Sequence, residues 1–229
     1  MVSELLHRVE RALEIDPEMV ERRIQEFIRR KVREAGARGA VVGISGGVDS
    51  ATVAVLLVKA LGRRKVRALF MPERGVTPER DWKDVKLISD KFGLHTKEID
   101  ISPLVGSFVS LVGTERRIPL ANLKARIRMC LLYYHANLYG MVVAGSGNRS
   151  ELRMGYFTKY GDGGCDFQPI GCLYKTQVKK LAEHLGVLKP ILEKTPTAGL
   201  WPGQTDEKEL GISYELLDRV LVALDLGYR

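Results

Sequence analysis

Val41-Val42-Gly43-Ile44-Ser45-Gly46-Gly47-Val48-Asp49-Ser50 decides the fold. A short β-branched run ends in a glycine-rich turn. Ala51, Val53, Ala54, Leu57, Val58 and Leu61 then supply the packing positions of a helix. Strand, glycine turn and helix together make an anion trap. The first amides of a helix have no backbone partner and point outward, and the helix dipole adds partial positive charge there. Glycine admits positive φ, which costs other residues about 1–2 kcal/mol, and lets the backbone approach an anion closely. A Walker A loop needs Gly-x-x-x-x-Gly-Lys-Ser/Thr, and a dinucleotide fingerprint needs Gly-x-Gly-x-x-Gly. Neither is present: Gly47 is followed by Val48-Asp49-Ser50, with no lysine in the required place. The plainer reading is a tight βα turn with an acid in the first helical turn.

The chain has 229 residues, 45% hydrophobic and 28% charged, which suits a globular α/β domain with a real core. Net charge is +8. The basic residues are dispersed apart from Arg22-Arg23 and Arg29-Arg30-Lys31, which favours anionic nucleotides over nucleic acid. Three cysteines, Cys130, Cys165 and Cys172, match no zinc or redox spacing and read as reduced thiols of a cytoplasmic protein, with Cys130 in the core of a helix. His7, His95, His135 and His184 form no ligand set. No apolar run reaches the roughly 18 residues of a membrane span, and no signal peptide opens the chain.

Outward from the loop, periodicity predicts helices over Ser3–Leu13, from Asp16-Pro17 to about Arg33, and from a Thr77-Pro78 cap to Phe92. Others follow after a Ser102-Pro103 cap, over Ala121–Tyr139, over Thr176–Leu185, and after Ser213. Strands are expected at Val66–Met71, His95–Ile101 and Met141–Ala144. Glu151–Asp166 and Lys194–Gln204 lack a period and read as functional loops that order on ligands. Strands separated by helices predict a parallel sheet with helices on both faces, and ligands beyond the carboxyl ends of the strands. Gly43–Ser50, the segment after Met71, and Gly145-Ser146 fall at such ends. No internal repeat or linker divides residues 1–229, so one domain is expected.

Ser45–Ser50 resembles the pyrophosphate loop (PP-loop) of the N-type ATP pyrophosphatases. Six downstream segments resemble the NAD synthetases in family order: Asn122–Met129, Gly145–Glu151, Gly155–Asp166, Leu173–Val178, Pro196–Leu200 and Gly203–Glu207. The resemblance spans about residues 18–225 and implies a Rossmann-like, adenine nucleotide alpha hydrolase-like fold. It also implies a reaction in which deamido-NAD, ATP and ammonia give NAD, AMP and pyrophosphate through an acyl-adenylate. By the same resemblance Gly43, Ile44, Ser45, Gly46, Gly47, Val48, Asp49 and Ser50 hold ATP, as do Ser146, Lys175 and Thr197. Asp49 and Glu151 ligate Mg2+, Asp49 and Lys175 serve catalysis, and Arg126, Lys159 and Asp166 contact deamido-NAD. Taken singly, Arg126 and Lys159 also read as solvated charges and Glu151 as an ordinary helix-start acid.

The resemblance further implies a homodimer, with deamido-NAD at the interface, and the ammonia-dependent form, since the length leaves no room for a glutaminase domain. Members end in a basic tail bearing His and Lys. The sequence reaches Arg229 without it, and a disordered tail and a deleted one stand as equal readings. Rival readings are another PP-loop enzyme, such as a GMP synthetase-like ligase or a tRNA-modifying enzyme, and a nucleotide-binding regulator without turnover. The Gly155–Asp166 segment counts against the first, and the pairing of Asp49 with Glu151 against the second.

Overall fold

The structure is a computed structural model that describes residues 2–113 and 116–228, the side chains of residues 2 and 3 excepted. Helices α1 (Val2–Leu13) and α2 (Pro17–Glu34) precede β1 (Ala40–Gly43) and α3 (Val48–Leu61). The chain continues through β2 (Val66–Phe70), α4 (Glu79–Phe92), β3 (Thr96–Glu98), α5 (Ser102–Val112), α6 (Arg117–Tyr139) and β4 (Val142–Ala144). Helices α7 (Arg149–Met154), α8 (Lys175–His184), α9 (Lys189–Leu192), α10 (Asp206–Leu210) and α11 (Tyr214–Asp225) complete it.

All strand pairs are parallel, in the order β3-β2-β1-β4, with Val42 opposite both Ala68 and Ala144. Successive side chains of a strand point to opposite faces. Ala40, Val42, Ala68 and Phe70 therefore pack with α2, α3, α4 and α8, while Val41, Leu69 and Val143 pack with α5 and α6. Burial on both faces explains why β1 and β4 are continuous apolar runs rather than alternating ones, while the edge strand β3, Thr-Lys-Glu, stays largely exposed. The result is the Rossmann-like α/β architecture expected. The chain builds from β1 to β3 on one side and then returns to place β4 on the other. Strand order thus reverses between β1 and β4, and the crevice beyond their carboxyl ends is where such sheets bind ligands.

Several local expectations hold. Asp16 caps α2, accepting from Glu18 N and Met19 N at 3.1 and 3.2 Å, with Pro17 in the first turn. Ser213 accepts from Leu216 N and caps α11. Others need correction. Thr77 does not cap α4: its Oγ1 accepts from Glu73 N at 2.9 Å and closes the preceding loop instead. At α5 the acceptor is Asp100, which takes Ser102 N at 2.9 Å and Ser102 Oγ at 2.6 Å. Cys130 is exposed on α6, not in the core. Helix α7 (Arg149–Met154) runs into the Glu151–Asp166 stretch read as aperiodic, because a helix this short completes too few turns to show a period.

Candidate active site

At the β1–β4 crevice lies a cavity of about 460 Å³, within the roughly 300–1,000 Å³ of small-molecule sites. Its floor is the glycine loop after β1 and Gly145–Gly147 after β4. One wall is α6 with Met71 and Pro72 at the end of β2, and Lys194–Trp201 closes the opposite side.

The loop is held by its own hydroxyls. Ser50 Oγ donates to Gly47 O at 3.1 Å and accepts from Ser45 N at 3.1 Å, and Gly47 N donates to Ser45 Oγ at 3.3 Å. Gly46 has φ +77°, and a Cβ there would come within 3.2 Å of Asp81 O, so only glycine fits. Gly47 at the N-cap of α3 offers no side chain to the first helical amides, which leaves them to a ligand.

Three charged side chains from three elements meet at this loop. Lys175, the first residue of α8, is buried; its Nζ donates to Asp49 Oδ2 and lies 3.5 Å from Glu151 Oε1. Asn148 joins the two acids: its Nδ2 donates to Asp49 Oδ1 at 3.1 Å, and it exchanges capping bonds of 3.0 and 3.1 Å with Glu151. The Tyr214 ring lies 4.9 Å below the ammonium, a cation–π contact. Tyr214 OH and Tyr156 OH both donate to Asp206, at 3.3 and 3.2 Å.

Electrostatics follow from this crowding. Burial, reinforced by the nearby Asp49 charge, pushes Glu151 up to about 8. Burial alone would lower Lys175, but Asp49 and Glu151 hold it above the ordinary lysine value. Burial also raises Asp206, against the pull of Lys175. Three carboxyl groups, Asp49, Glu151 and Asp206, thus crowd one lysine in a cavity floored by an anion-binding turn, and the crowding favours a proton on Glu151. A divalent cation brought with an anionic ligand would relieve that crowding. Among the described residues no cluster of three or more Asp, Glu, His or Cys forms a cage for a metal by itself. Mg2+ needs only one or two carboxylates when phosphates supply the other ligands, and the Asp49–Glu151 pair fits that demand.

Of the residues singled out by sequence, Gly43, Ile44, Ser45, Gly47, Val48, Asp49, Ser50, Ser146, Glu151, Lys175 and Thr197 line this one cavity. Gly46 sits just behind it, with its carbonyl taken by Lys194 Nζ at 3.1 Å. Arg126, Lys159 and Asp166 lie outside. Arg126 is exposed and its Nε donates to Lys159 O at 3.2 Å; Lys159 stacks on Tyr160. Asp166 accepts from Tyr133 OH at 3.0 Å and from Val143 N at 2.7 Å, which ties it to α6 and β4. Residues two apart on a helix do not share a face. Arg128, not Arg126, is the α6 arginine that lines the cavity.

Asn148, Asp206 and Arg128 fall inside the matched motifs, so a signal for them was present but not specific to the residue. Lys194 carried none beyond its loop; it pairs with Asp81 at 2.5 Å and Asp84 at 3.3 Å and pins the Lys194–Gln204 segment to α4. Buried Lys124 pins the same segment further on, donating to Leu200 O at 3.1 Å while paired with Glu73 at 2.7 Å.

The family model described as NAD synthase matches residues 20–227. The NH(3)-dependent NAD(+) synthetase of Archaeoglobus fulgidus is 56% identical over 212 residues, covering 93% of this chain and 86% of that one. The protein of the same name from Hyperthermus butylicus is 53% identical, covering 93% of this chain and 77% of that one. Among solved structures, the NMN synthetase from Francisella tularensis superposes with a TM-score of 0.86 at 35% identity, covering 94% and 88% of the two chains. The NH3-dependent NAD synthetase from Campylobacter jejuni, in complex with the nitrate ion, gives 0.75 at 35% identity, covering 82% and 81%.

Proposed function

The chain belongs to the NAD synthase family, and we propose that the β1–β4 cavity is where it amidates deamido-NAD with ammonia at the expense of ATP. It is a ligase that forms a carbon–nitrogen bond. A carboxylate is a poor acyl donor, because its carbon resists nucleophiles and oxide is a poor leaving group, so the nicotinate carboxylate first attacks the α-phosphorus of ATP and releases pyrophosphate. Ammonia then attacks the acyl carbon, AMP leaves, and the nitrogen loses its surplus proton. No protein nucleophile is required; catalysis rests on positioning and on stabilising charge at phosphorus.

In this reading residues Gly43–Ser50 cradle the phosphates with backbone amides, and Ser146 and Thr197 contact the nucleotide from the facing walls. Lys175 follows the phosphate charge from a fixed, buried seat on Tyr214. Asp49 and Glu151 would hold Mg2+, which supplies neutralising charge to phosphate oxygens. The observation that carries the assignment is the meeting of Asp49, Lys175 and Glu151 at the mouth of the glycine loop, from three elements distant in sequence.

Arg126, Lys159 and Asp166 are read as contacts for deamido-NAD in a homodimer, where the substrate bridges from the cavity to the outer face of α6. Support for the dimer comes from Cys130, Tyr134 and Leu138, exposed at four-residue spacing beyond Arg126, and from exposed Phe108 and Leu111 on α5. Residues 1–229 are read as one synthetase domain, and its location as cytoplasmic, which suits three unpaired cysteines.

Because one structural relative bears the name NMN synthetase, the mononucleotide acid is the competitor to assay. With ATP, Mg2+ and ammonium, deamido-NAD is expected to give the higher kcat/KM, and the GMP synthetase substrate XMP none. A preference for nicotinate mononucleotide would move the assignment to that smaller substrate.

A further inference from the structure

Among the described residues three cations line the cavity, and two of them are neutralised. Lys175 is shared by Asp49 and Glu151, and Lys194 by Asp81 and Asp84. The third is Arg128. Its Nε donates to Met71 O at 3.0 Å, which fixes the guanidinium against the end of β2. Among the described residues neither Nη takes part in a hydrogen bond or ion pair. The acids whose charge reaches it are engaged elsewhere: Glu73 pairs with Lys124, and Asp162 accepts from Thr158 N at 2.9 Å.

The surroundings are closely packed. A Cβ on Gly161 would come within 2.8 Å of the Ala125 Cβ, and one on Gly164 within 3.2 Å of Met129 Cγ. The glycine segment therefore packs directly on α6 at positions flanking Arg128. Thr158 Oγ1 ties that segment to Asn122 of the same helix at 2.9 Å. Burial draws the guanidinium below the ordinary arginine value, though arginine stays charged in proteins. Arg128 is half-buried; a charge drawn from water without a partner is costly, and a planar fork of donors matches carboxylate or phosphate two bonds at a time.

We propose that Arg128 is the anion-receiving side chain of this cavity and takes an oxyanion of one substrate on its two Nη atoms. The inference rests on the functional reading above. The oxyanion is either the nicotinate carboxylate of deamido-NAD or a phosphate of ATP, and the two sources separate experimentally. A carboxylate role makes Arg128 a specificity residue, since the product amide lacks the charge and binds it poorly.

The test compares wild type, Arg128→Gln and Arg128→Lys by steady-state kinetics and by the rise in Tm that each substrate produces alone. The neutral variant is expected to raise KM for one substrate at least tenfold and to leave the other within twofold. It should lose the corresponding ligand-induced rise in Tm, without a lower Tm when free. Arg128→Lys, which keeps charge but not the fork, should show the same selective loss at smaller size, and decides the matter if the glutamine variant does not fold. Loss confined to deamido-NAD, with NAD inhibition unchanged, identifies the carboxylate; loss confined to ATP and pyrophosphate identifies a phosphate. A folded variant that binds both substrates within twofold of wild type overturns the proposal. Wild-type protein that makes no NAD from ammonium overturns the functional reading instead.

Discussion

Asp49 and Glu151 face opposite demands in the free protein and in the proposed loaded one. Free, they crowd one lysine; in the proposed complex both would serve Mg2+. Asp49→Asn leaves Lys175 paired with Glu151, so the variant should fold. It should also lose several kcal/mol of transition-state stabilisation, roughly a hundredfold or more in turnover. Near-normal turnover by a variant with a normal melting curve would remove Asp49 from the mechanism. Glu151 makes a separate prediction. Its carboxyl is raised from 4.5 to about 8, so over that interval the folded chain keeps a proton that the unfolded chain has lost. Folding stability contributed at this position is present below about 4.5 and falls as pH rises toward 8. In EDTA, Tm of the wild type should therefore drop relative to Glu151→Gln between those limits; a constant difference would contradict the assignment. At this scale, much of the site was legible. The loop is contiguous and its chemistry is carried by residue type, so Asp49 stood out. Arg126 and Arg128 are two residues apart in one motif, and only the helix shows which of them faces the cavity.

At the level of elements, one buried acid ties together three of the helices on one face of the sheet. Glu21 of α2 accepts from Lys59 of α3 at 2.6 Å and from His184 of α8 at 2.9 Å. Burial would raise its carboxyl, but these two partners together hold it below the usual value. Glu21→Gln should cost about 1.5–3 kcal/mol at neutral pH, a fall in Tm of roughly 5 °C. A carboxyl with a lowered folded value contributes stability that is present above its unfolded value of 4.5 and lost as pH falls through the folded one. Wild type and variant should accordingly converge in acid, and equal melting of the two at neutral pH would show that the tie is inert. The long elements were legible because their periods run over several turns. The short α7, α9 and α10 were not, since one or two turns carry no period. Thr77 and Ser102 looked like caps because residue type alone cannot show that Thr77 is spent on Glu73 N or that Asp100 is the nearer acceptor.

Over the whole molecule, α5 and α6 leave apolar side chains in water: Leu111 is 83% exposed, Tyr134 63% and Leu138 58%. Periodicity could not separate such positions from core, because a face turned to a partner has the same composition as one turned inward. Light scattering at micromolar concentration should give twice the 25.6 kDa of one chain, and Leu138→Glu should shift the mass toward one. A wild-type mass of one chain would leave Arg126 and Lys159 without a role in substrate binding. The nitrogen donor is also a property of the whole chain. Glutamine hydrolysis needs an activated nucleophile, and burial pushes the thiol of Cys165, the cysteine in the cavity, above its ordinary value, away from the reactive thiolate. One measurement bears most directly on the activity: product analysis after incubation with deamido-NAD, ATP and Mg2+, once with ammonium and once with glutamine as the sole nitrogen source. NAD, AMP and pyrophosphate in equal amounts from ammonium, and none from glutamine, is the expected result; ADP and phosphate in place of AMP and pyrophosphate, or NAD from glutamine at a comparable rate, would contradict it.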